Sequence, residues 1–320
     1  MDSAPRKLPT PSAPPLHRLA ALAHAAVHPA DAPCRCAGGQ VGVLADRDDG
    51  TVVRHGGLVA KAHAPGTDPD AHRVRLALAA HQDVGGVFLP PLPLPRSGPD
   101  ALDGRPVTLW PYGPPVAPED PDAAPWEEAA RLLALLHRTP PPPGLAERLP
   151  DMRAPAKAAL AVDRMRRTAP DHPAAATVLD AWRTVPEAPA AYRLLCHGDF
   201  HLGQLVRDTR PGRHGPWRLI DVDDMGLGDP AWDLGRPAAW FAAGILPPEV
   251  WSRFLGAYRE AGGPAVDADP WERLDVPARA LTVQTAALAL AKSTAERRPL
   301  DEVEEVMIDT CARIAGHRTG

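Results

Sequence analysis

Lysine is nearly missing from this chain. Of 35 cationic residues only four are lysines, Lys7, Lys61, Lys157 and Lys292. Where arginine is written almost everywhere else, a lysine inside a structured segment is worth inspection. Cysteine is as sparse, with Cys34, Cys36, Cys196 and Cys311 scattered along the chain. Cys34 and Cys36 stand too close for an ordinary bridge, and the set makes no disulfide framework. The expected setting is therefore the reducing cytoplasm. There is no excess of positive charge: the net charge is -5, which argues against a nucleic-acid or membrane-surface partner. Apolar runs are broken by Pro, Arg or Asp well before 18 residues, so no membrane-spanning helix is expected. The opening MDSAPRKLPTPSAPP lacks the apolar core of a signal peptide.

What is present reads as globular. Apolar residues make up 44% of 320, enough for two lobes and a sizeable core. The 41 prolines, with abundant Ala and Arg, match the coding bias of a GC-rich bacterium. Residues 1–14 read as a disordered, Pro-rich tail. The run LHRLAALAHAAV (16–27) has helical spacing. QVGVLA (40–45), TVVRH (51–55) and GLVAKAH (57–63) are strand-like, with the turn signal DRDDG between the first two. A helical run at 70–81 follows, then two more apolar strands, VFLPPL (87–92) and RPVTLWPYG (105–113). After PPVAPEDPD the character changes. PWEEAARLLALLHRT (125–139) carries acids in its first turn and His137 and Arg138 in its last, as the helix dipole favours. Further helices are expected over 153–167, 173–184 and most of the chain beyond 235. The order is a β-rich first lobe, a connector and a mostly helical second lobe.

The richest stretch is LLCHGDFHLGQLV (194–206), where His197, Asp199 and His201 occupy alternate positions. On a strand they would face one way, as two His and one carboxylate for Zn²⁺ or Fe²⁺. Gly198 and Gly203 favour a loop, in which that alternation loses its meaning. Cys196 beside His197 could be a nucleophile; a small buried Cys is the ordinary case. Five residues past Asp199 stands Gln204. Between Gln204 and Asp221 lie LVR, the turn-rich DTRPGRHGP and WRLI. That is a hairpin, which returns Asp221 to the side of Gln204. An amide oxygen and a carboxylate are hard ligands suited to Mg²⁺, with Asp199 placed to receive a substrate hydroxyl. The count from Asp to amide equals that of the kinase loop H-R-D-x-x-x-x-N. The neighbours Asp223 and Asp224 could both be ligands; the favoured expectation is that one is exposed and one bonds backbone, because packed like charges are costly without a metal. Trp217, Trp232, Trp240 and Trp251 could line an acceptor pocket, with core packing as the default.

HGDFHLGQ, followed by IDVDDMGLGDPAWDL, resembles the aminoglycoside phosphotransferase and choline-kinase-like family, whose usual forms are HGDxHxxN and IDxxxxxxGDPxxDL. The Gln of HGDxHLGQ is also similar to bacterial maltokinases. The resemblance implies an α+β, bilobal protein-kinase-like fold, with a small antiparallel-sheet N-lobe over 15–108, a hinge at 109–116 and a larger helical C-lobe over 117–320. It implies ATP, sometimes GTP, with Mg²⁺, and phosphorylation of a small-molecule hydroxyl such as that of an aminoglycoside, sugar or amino alcohol. Carried over, Asp199 is the catalytic base. Asp221 and Gln204, where Asn is usual, are the metal ligands. His197 and His201 support the loop, while Asp229 and Asp233 bond loop backbones and Asp223 is a further supporting acid. Lys61 in LVAKAH resembles the phosphate-gripping lysine of V-A-I-K. Its usual helix Glu is absent; the segment offers only Asp68, Asp70 and, later, Asp83, and Asp70 is the candidate partner. Gly39, within CAGGQVGVL, could let backbone N–H groups meet phosphates or simply make a turn. Trp110 and Tyr112 fall where the adenine is expected. The Gln at 204 and the absent Glu also admit a second reading, a nucleotide-binding pseudokinase without turnover.

Overall fold

The chain first winds α1 (Pro15–Val27). It then enters an antiparallel meander of β1 (Gly42–Arg47), β2 (Gly50–His55) and β3 (Leu58–His63). The computed structural model describes residues 15–28, 42–47, 49–95, 100–117, 124–186, 192–210, 212 and 215–316; the expected tail at 1–14 and Gly39 lie outside them. The β2–β3 turn runs through Gly56 with φ of 58°, a left-handed position suited to glycine. Helix α2 (Pro69–Ala79) is capped by Asp68, whose carboxylate accepts from the Asp70 and Ala71 amides at 2.9 Å each. Strands β4 (Ala101–Leu102) and β5 (Arg105–Pro111) complete a five-stranded sheet in the order β1-β2-β3-β5-β4.

The expected strand at 87–92 does not form. Phe88 bridges Leu219 in parallel and Leu92 bridges Leu109 antiparallel, with no ladder between. Pro90 and Pro91 have no N–H to give one. The connector also starts later than expected. Leu109, Trp110 and Pro111 still pair with Ala60, Val59 and Leu58, so residues 109–111 belong to the sheet.

Beyond the connector the described residues are mostly helical. α3 (Trp126–Arg138), α4 (Ala154–Thr168) and α5 (Ala175–Trp182) precede β6 (Leu194–Cys196). A single 3₁₀ turn at Leu202–Gln204 leads into the hairpin β7 (Leu205–Arg207) and β8 (Trp217–Leu219). β9 (Gly226–Gly228) pairs back with β6. α6 (Ala231–Ala242), α7 (Pro248–Glu260), α8 (Trp271–Glu296) and α9 (Glu302–Gly316) finish the lobe.

Three larger apolar cores among the described residues fix these pieces, with a smaller one at Met152, Ala154 and Cys196. Leu19, Leu22 and Ala23 of α1 pack on Val53, Ala60 and Leu109, covering one face of the sheet. A second core joins Leu78 of α2 to Leu133 and Leu136 of α3, Leu195 and Phe254. Fully burying each such leucine contributes about 1.5–3 kcal/mol. The third core holds α4, α5, α8 and α9 together through Val162, Met165, Val283, Leu290 and Met307. Trp251 lies inside the second core and Trp240 packs against it. No helix among the described residues is long and apolar enough to cross a membrane.

Candidate functional site

The stretch 194–206 begins as β6 and then leaves the sheet. Gly198 has φ of 82°, and a Cβ there would meet the Asp224 carbonyl oxygen at 2.1 Å. Only glycine fits this turn. Buried Asp233 anchors it, accepting from the amides of His197 at 2.6 Å and Gly198 at 2.8 Å. His137 donates from Nε2 to Asp233 at 3.0 Å and accepts the Tyr258 hydroxyl at Nδ1, 2.7 Å away. The sequence placed His137 as a helix-end cation; the fold uses it inside the core. Burial works against the charged form of Asp233, yet His137 keeps its carboxyl below the usual range. Asp229 accepts from the Ala231 amide and from Arg273, at 3.0 and 2.8 Å.

The three alternating residues do not converge on a metal. His197 donates from Nε2 to the Ile220 carbonyl at 2.9 Å, while His201 caps its own turn by accepting from the Gly203 amide at 3.0 Å. Burial, then Arg236, lowers the His201 pKa to about 4. Among the described residues, potential ligands gather as His24/His28/His55, His63/His72/Asp223 and His137/Cys196/Asp233; the triplet His197, Asp199 and His201 is not one of these groups. Cys196 is buried, and desolvation raises its thiol pKa well above the ordinary value, the setting of an inert structural cysteine.

Asp199 is held on both oxygens. Lys157 of α4 lies 2.8 Å from Oδ2 and Arg236 of α6 lies 2.8 Å from Oδ1. Burial opposes the charge, but Lys157 and then Arg236 more than offset it and hold the carboxyl well below its ordinary range. Lys157 also reaches Asp224 Oδ2 at 2.6 Å. Neither cation was among the residues singled out for the site. The scarcity of lysine was the one signal that could have found Lys157; nothing marked Arg236.

The hairpin closes as its turn signals required. Leu205 pairs with Leu219, and the Ile220 amide donates to the Gln204 carbonyl at 2.9 Å. Gln204 and Asp221 therefore stand side by side. Asp221 has φ of 64°, a left-handed conformation costing on the order of 1–3 kcal/mol and typical of functional positions. Lys61 lies 2.7 Å from Asp221 and 2.9 Å from Asp223. Burial disfavours its charge, but these two acids raise its pKa above the ordinary lysine value. Asp70, the expected partner, instead pairs with Arg73 on the exposed face of α2. That helix turns His72 and Arg75 toward the cleft, Arg75 donating to the Met225 carbonyl at 2.7 Å. Asp223 and Asp224 correct another expectation. Neither is fully exposed, and each holds a lysine: Asp223 takes Lys61 and His63, Asp224 takes Lys157.

Two adjoining clefts share Lys61, Val52 and Asp221. The first, about 360 Å³, is lined by apolar residues including Leu44, Val59, Trp110, Tyr112 and Val206. Gly113 keeps it narrow at the connector, since a Cβ there would meet the Arg207 carbonyl at 2.6 Å. The Tyr112 amide is already committed to Gly57 at 2.8 Å. The second cleft, about 640 Å³, is polar and holds Lys157, Asp199, His201, Gln204, Asp221, Asp223 and Asp224.

The profile of the phosphotransferase enzyme family matches residues 43–276. The chain belongs to that family. It is therefore a phosphotransferase with an alcohol group as acceptor, and its fold is the bilobal, protein-kinase-like one. Solved structures agree on the fold. A choline/ethanolamine kinase family protein from Mesorhizobium loti is 18% identical, with 89% of this chain and 90% of that one covered and a TM-score of 0.54. Macrolide 2′-phosphotransferase type I is 18% identical over 82% and 92%, at 0.51. The phosphotransferase APH(2″)-IIia, solved with GDP and kanamycin, is 15% identical over 91% and 96%, also at 0.51. Among curated proteins no sequence matches.

Proposed function

We propose that this phosphotransferase moves the γ-phosphoryl group of ATP, or of GTP, onto a hydroxyl of a small molecule, with Asp199 as the acceptor-side base. The observation that carries the reading is Asp199 itself: a half-buried carboxylate held by Lys157 and Arg236, in the same cleft as Gln204, Asp221 and Lys61. The adjoining apolar cleft, with Trp110 and Tyr112 in its wall, suits a purine. Because the Tyr112 amide is spent on Gly57, the base would be read by other connector groups, the Gly113 N–H among them.

The donor set fits a hard divalent cation. Among the described residues the Gln204 amide makes no side-chain hydrogen bond, and Asp221 beside it offers a carboxylate. Mg²⁺ held by Gln204 and Asp221 would supply charge neutralisation on the nucleotide phosphates. Lys61 then steadies the phosphates.

In the transfer, the acceptor oxygen forms a bond to the γ-phosphorus while the bond from that phosphorus to the β–γ bridging oxygen breaks. The hydroxyl proton passes to Asp199 and the nucleoside diphosphate leaves. A carboxyl with so depressed a pKa is a weak base, so it orients the hydroxyl first and takes the proton late, as a loose transition state allows. Lys157, bound to the same carboxylate, would offer positive charge to the transferred group.

Purified protein with Mg-ATP and a panel of hydroxyl compounds tests this, with product mass as the readout. Phosphorylated product that disappears in Asp199→Asn supports the reading. Nucleotide binding without transfer to any compound would instead leave a regulatory, non-catalytic nucleotide binder.

A further inference from the structure

A small cavity opens from the polar cleft at Asp199 and Lys157 and runs back between α4, α6 and α8. Its volume is about 10 Å³, room for one water-sized group. Trp232 and Leu281 give it apolar walls; Arg236 and Gln284 give it polar ones.

Two atoms there lack partners among the described residues. Gln284 is 5% exposed, and its Oε1 accepts no hydrogen bond. Arg236 uses Nη2 on Asp199, but its Nε donates to nothing. A buried polar atom left unpaired costs about 1–3 kcal/mol, so two facing one cavity call for an occupant. Gln284 Oε1 needs a donor and Arg236 Nε–H needs an acceptor. One hydroxyl is both at once. An ammonium group cannot accept from Arg236 Nε–H and would leave that donor unpaired, even with the Asp199 carboxylate, shared by Arg236 and Lys157, on the same lining. A carboxylate cannot donate to Gln284.

We propose that this cavity is a subsite for a second, non-reacting hydroxyl of a neutral polyol acceptor. The reacting hydroxyl sits at Asp199 and its neighbour enters between Gln284 and Arg236. The inference rests on the kinase reading above and adds the acceptor's chemical class: an uncharged, sugar-like polyol, with amino-substituted polyols disfavoured. Trp232 closes the apolar side of the cavity, leaving the carbon skeleton in the larger polar cleft at Asp199.

The test uses matched pairs, a neutral polyol and the analogue in which one hydroxyl is replaced by an amine, such as glucose with glucosamine and glycerol with 2-amino-1,3-propanediol. The full chain with Mg-ATP is expected to show at least tenfold higher kcat/KM on the neutral member. Gln284→Leu is expected to raise KM for that polyol about tenfold, with kcat and nucleotide affinity within twofold of the parent. Gln284→Glu, whose added charge favours an amine, is expected to narrow the preference and controls for a leucine variant that fails to fold. Calorimetric binding of the polyols to protein loaded with a non-hydrolysable nucleotide reads the subsite without turnover. Polyol binding without phosphorylation would sink the kinase reading and leave the subsite standing. Equal kcat/KM for both members, an unchanged KM in folded Gln284→Leu, or no neutral polyol bound would overturn the subsite.

Discussion

Lys157 Nζ bridges two carboxylates, lying 2.8 Å from Asp199 and 2.6 Å from Asp224. Its own pKa is raised: burial works against the charge, and Asp224 and Asp199 outweigh it. The same contact sets the basicity of Asp199, so the pH dependence of turnover should be read at Lys157. Removing one of two cations lets the Asp199 pKa rise toward the ordinary carboxylate value. A base must be ionised to work, so the acid limb of the kcat/KM profile should move to higher pH in Lys157→Met. An unmoved acid limb would show that Asp199 is not the group titrating.

Asp199→Asn keeps the shape of the side chain and removes its capacity to take a proton. Turnover should fall by roughly 10²–10⁴-fold, the usual worth of a positioned acid or base. Nucleotide affinity, measured by dye displacement, should stay close to that of the parent, because the apolar cleft is untouched.

Gly198→Ala places a Cβ 2.1 Å from the Asp224 carbonyl oxygen and imposes φ of 82° on an alanine. The left-handed conformation alone costs roughly 1–2 kcal/mol, and backbone must also shift. A drop in Tm of several degrees is expected, with loss of turnover exceeding the loss of folded protein. A variant as stable and active as the parent would contradict the close approach.

Asp233 is buried, and its carboxyl is held below the usual carboxylate range despite that burial, mainly by His137. A depressed native pKa stabilises the fold above the unfolded carboxylate value, and that stability is lost as pH falls. Breaking a buried pair by removing one partner costs about 3–5 kcal/mol. Asp233→Ala should therefore lower the urea midpoint at pH 7 and flatten its decline on acidification.

Gln204→Asn withdraws the amide oxygen by one methylene while the Ile220–Gln204 backbone bond stays in place. Mg²⁺ tolerates little departure from octahedral geometry. If the surrounding loop is built for the longer side chain, the Mg²⁺ concentration for half-maximal activity should rise in Gln204→Asn. A lower requirement would mark Gln204 as the poorer ligand of the two.

The elements were legible where their signals are local. Helical periodicity marked α3 and α4 to within about two residues, and the turn residues between Gln204 and Asp221 specified the hairpin β7–β8. The run 87–92 misled because its apolar composition outweighed two prolines that cannot join a ladder. Asp70 misled because proximity in sequence to the lysine strand says nothing about which way a helix face turns.

The sequence by itself determined the strand and helix periods, the glycine-bearing loop that carries Asp199 and the hairpin that brings Ile220 back to Gln204, since periods of 2 and 3.6 and turn chemistry act over a few residues. Tertiary structure alone decided the charges around them. Lys157 reaches Asp199 across 42 residues and Lys61 reaches Asp221 across 160. Arg236 and Gln284 meet at one cavity only because α6 and α8 pack side by side. Such partners are chosen by how helices dock, and docking is settled by the shapes of whole buried faces, which no short stretch of sequence contains.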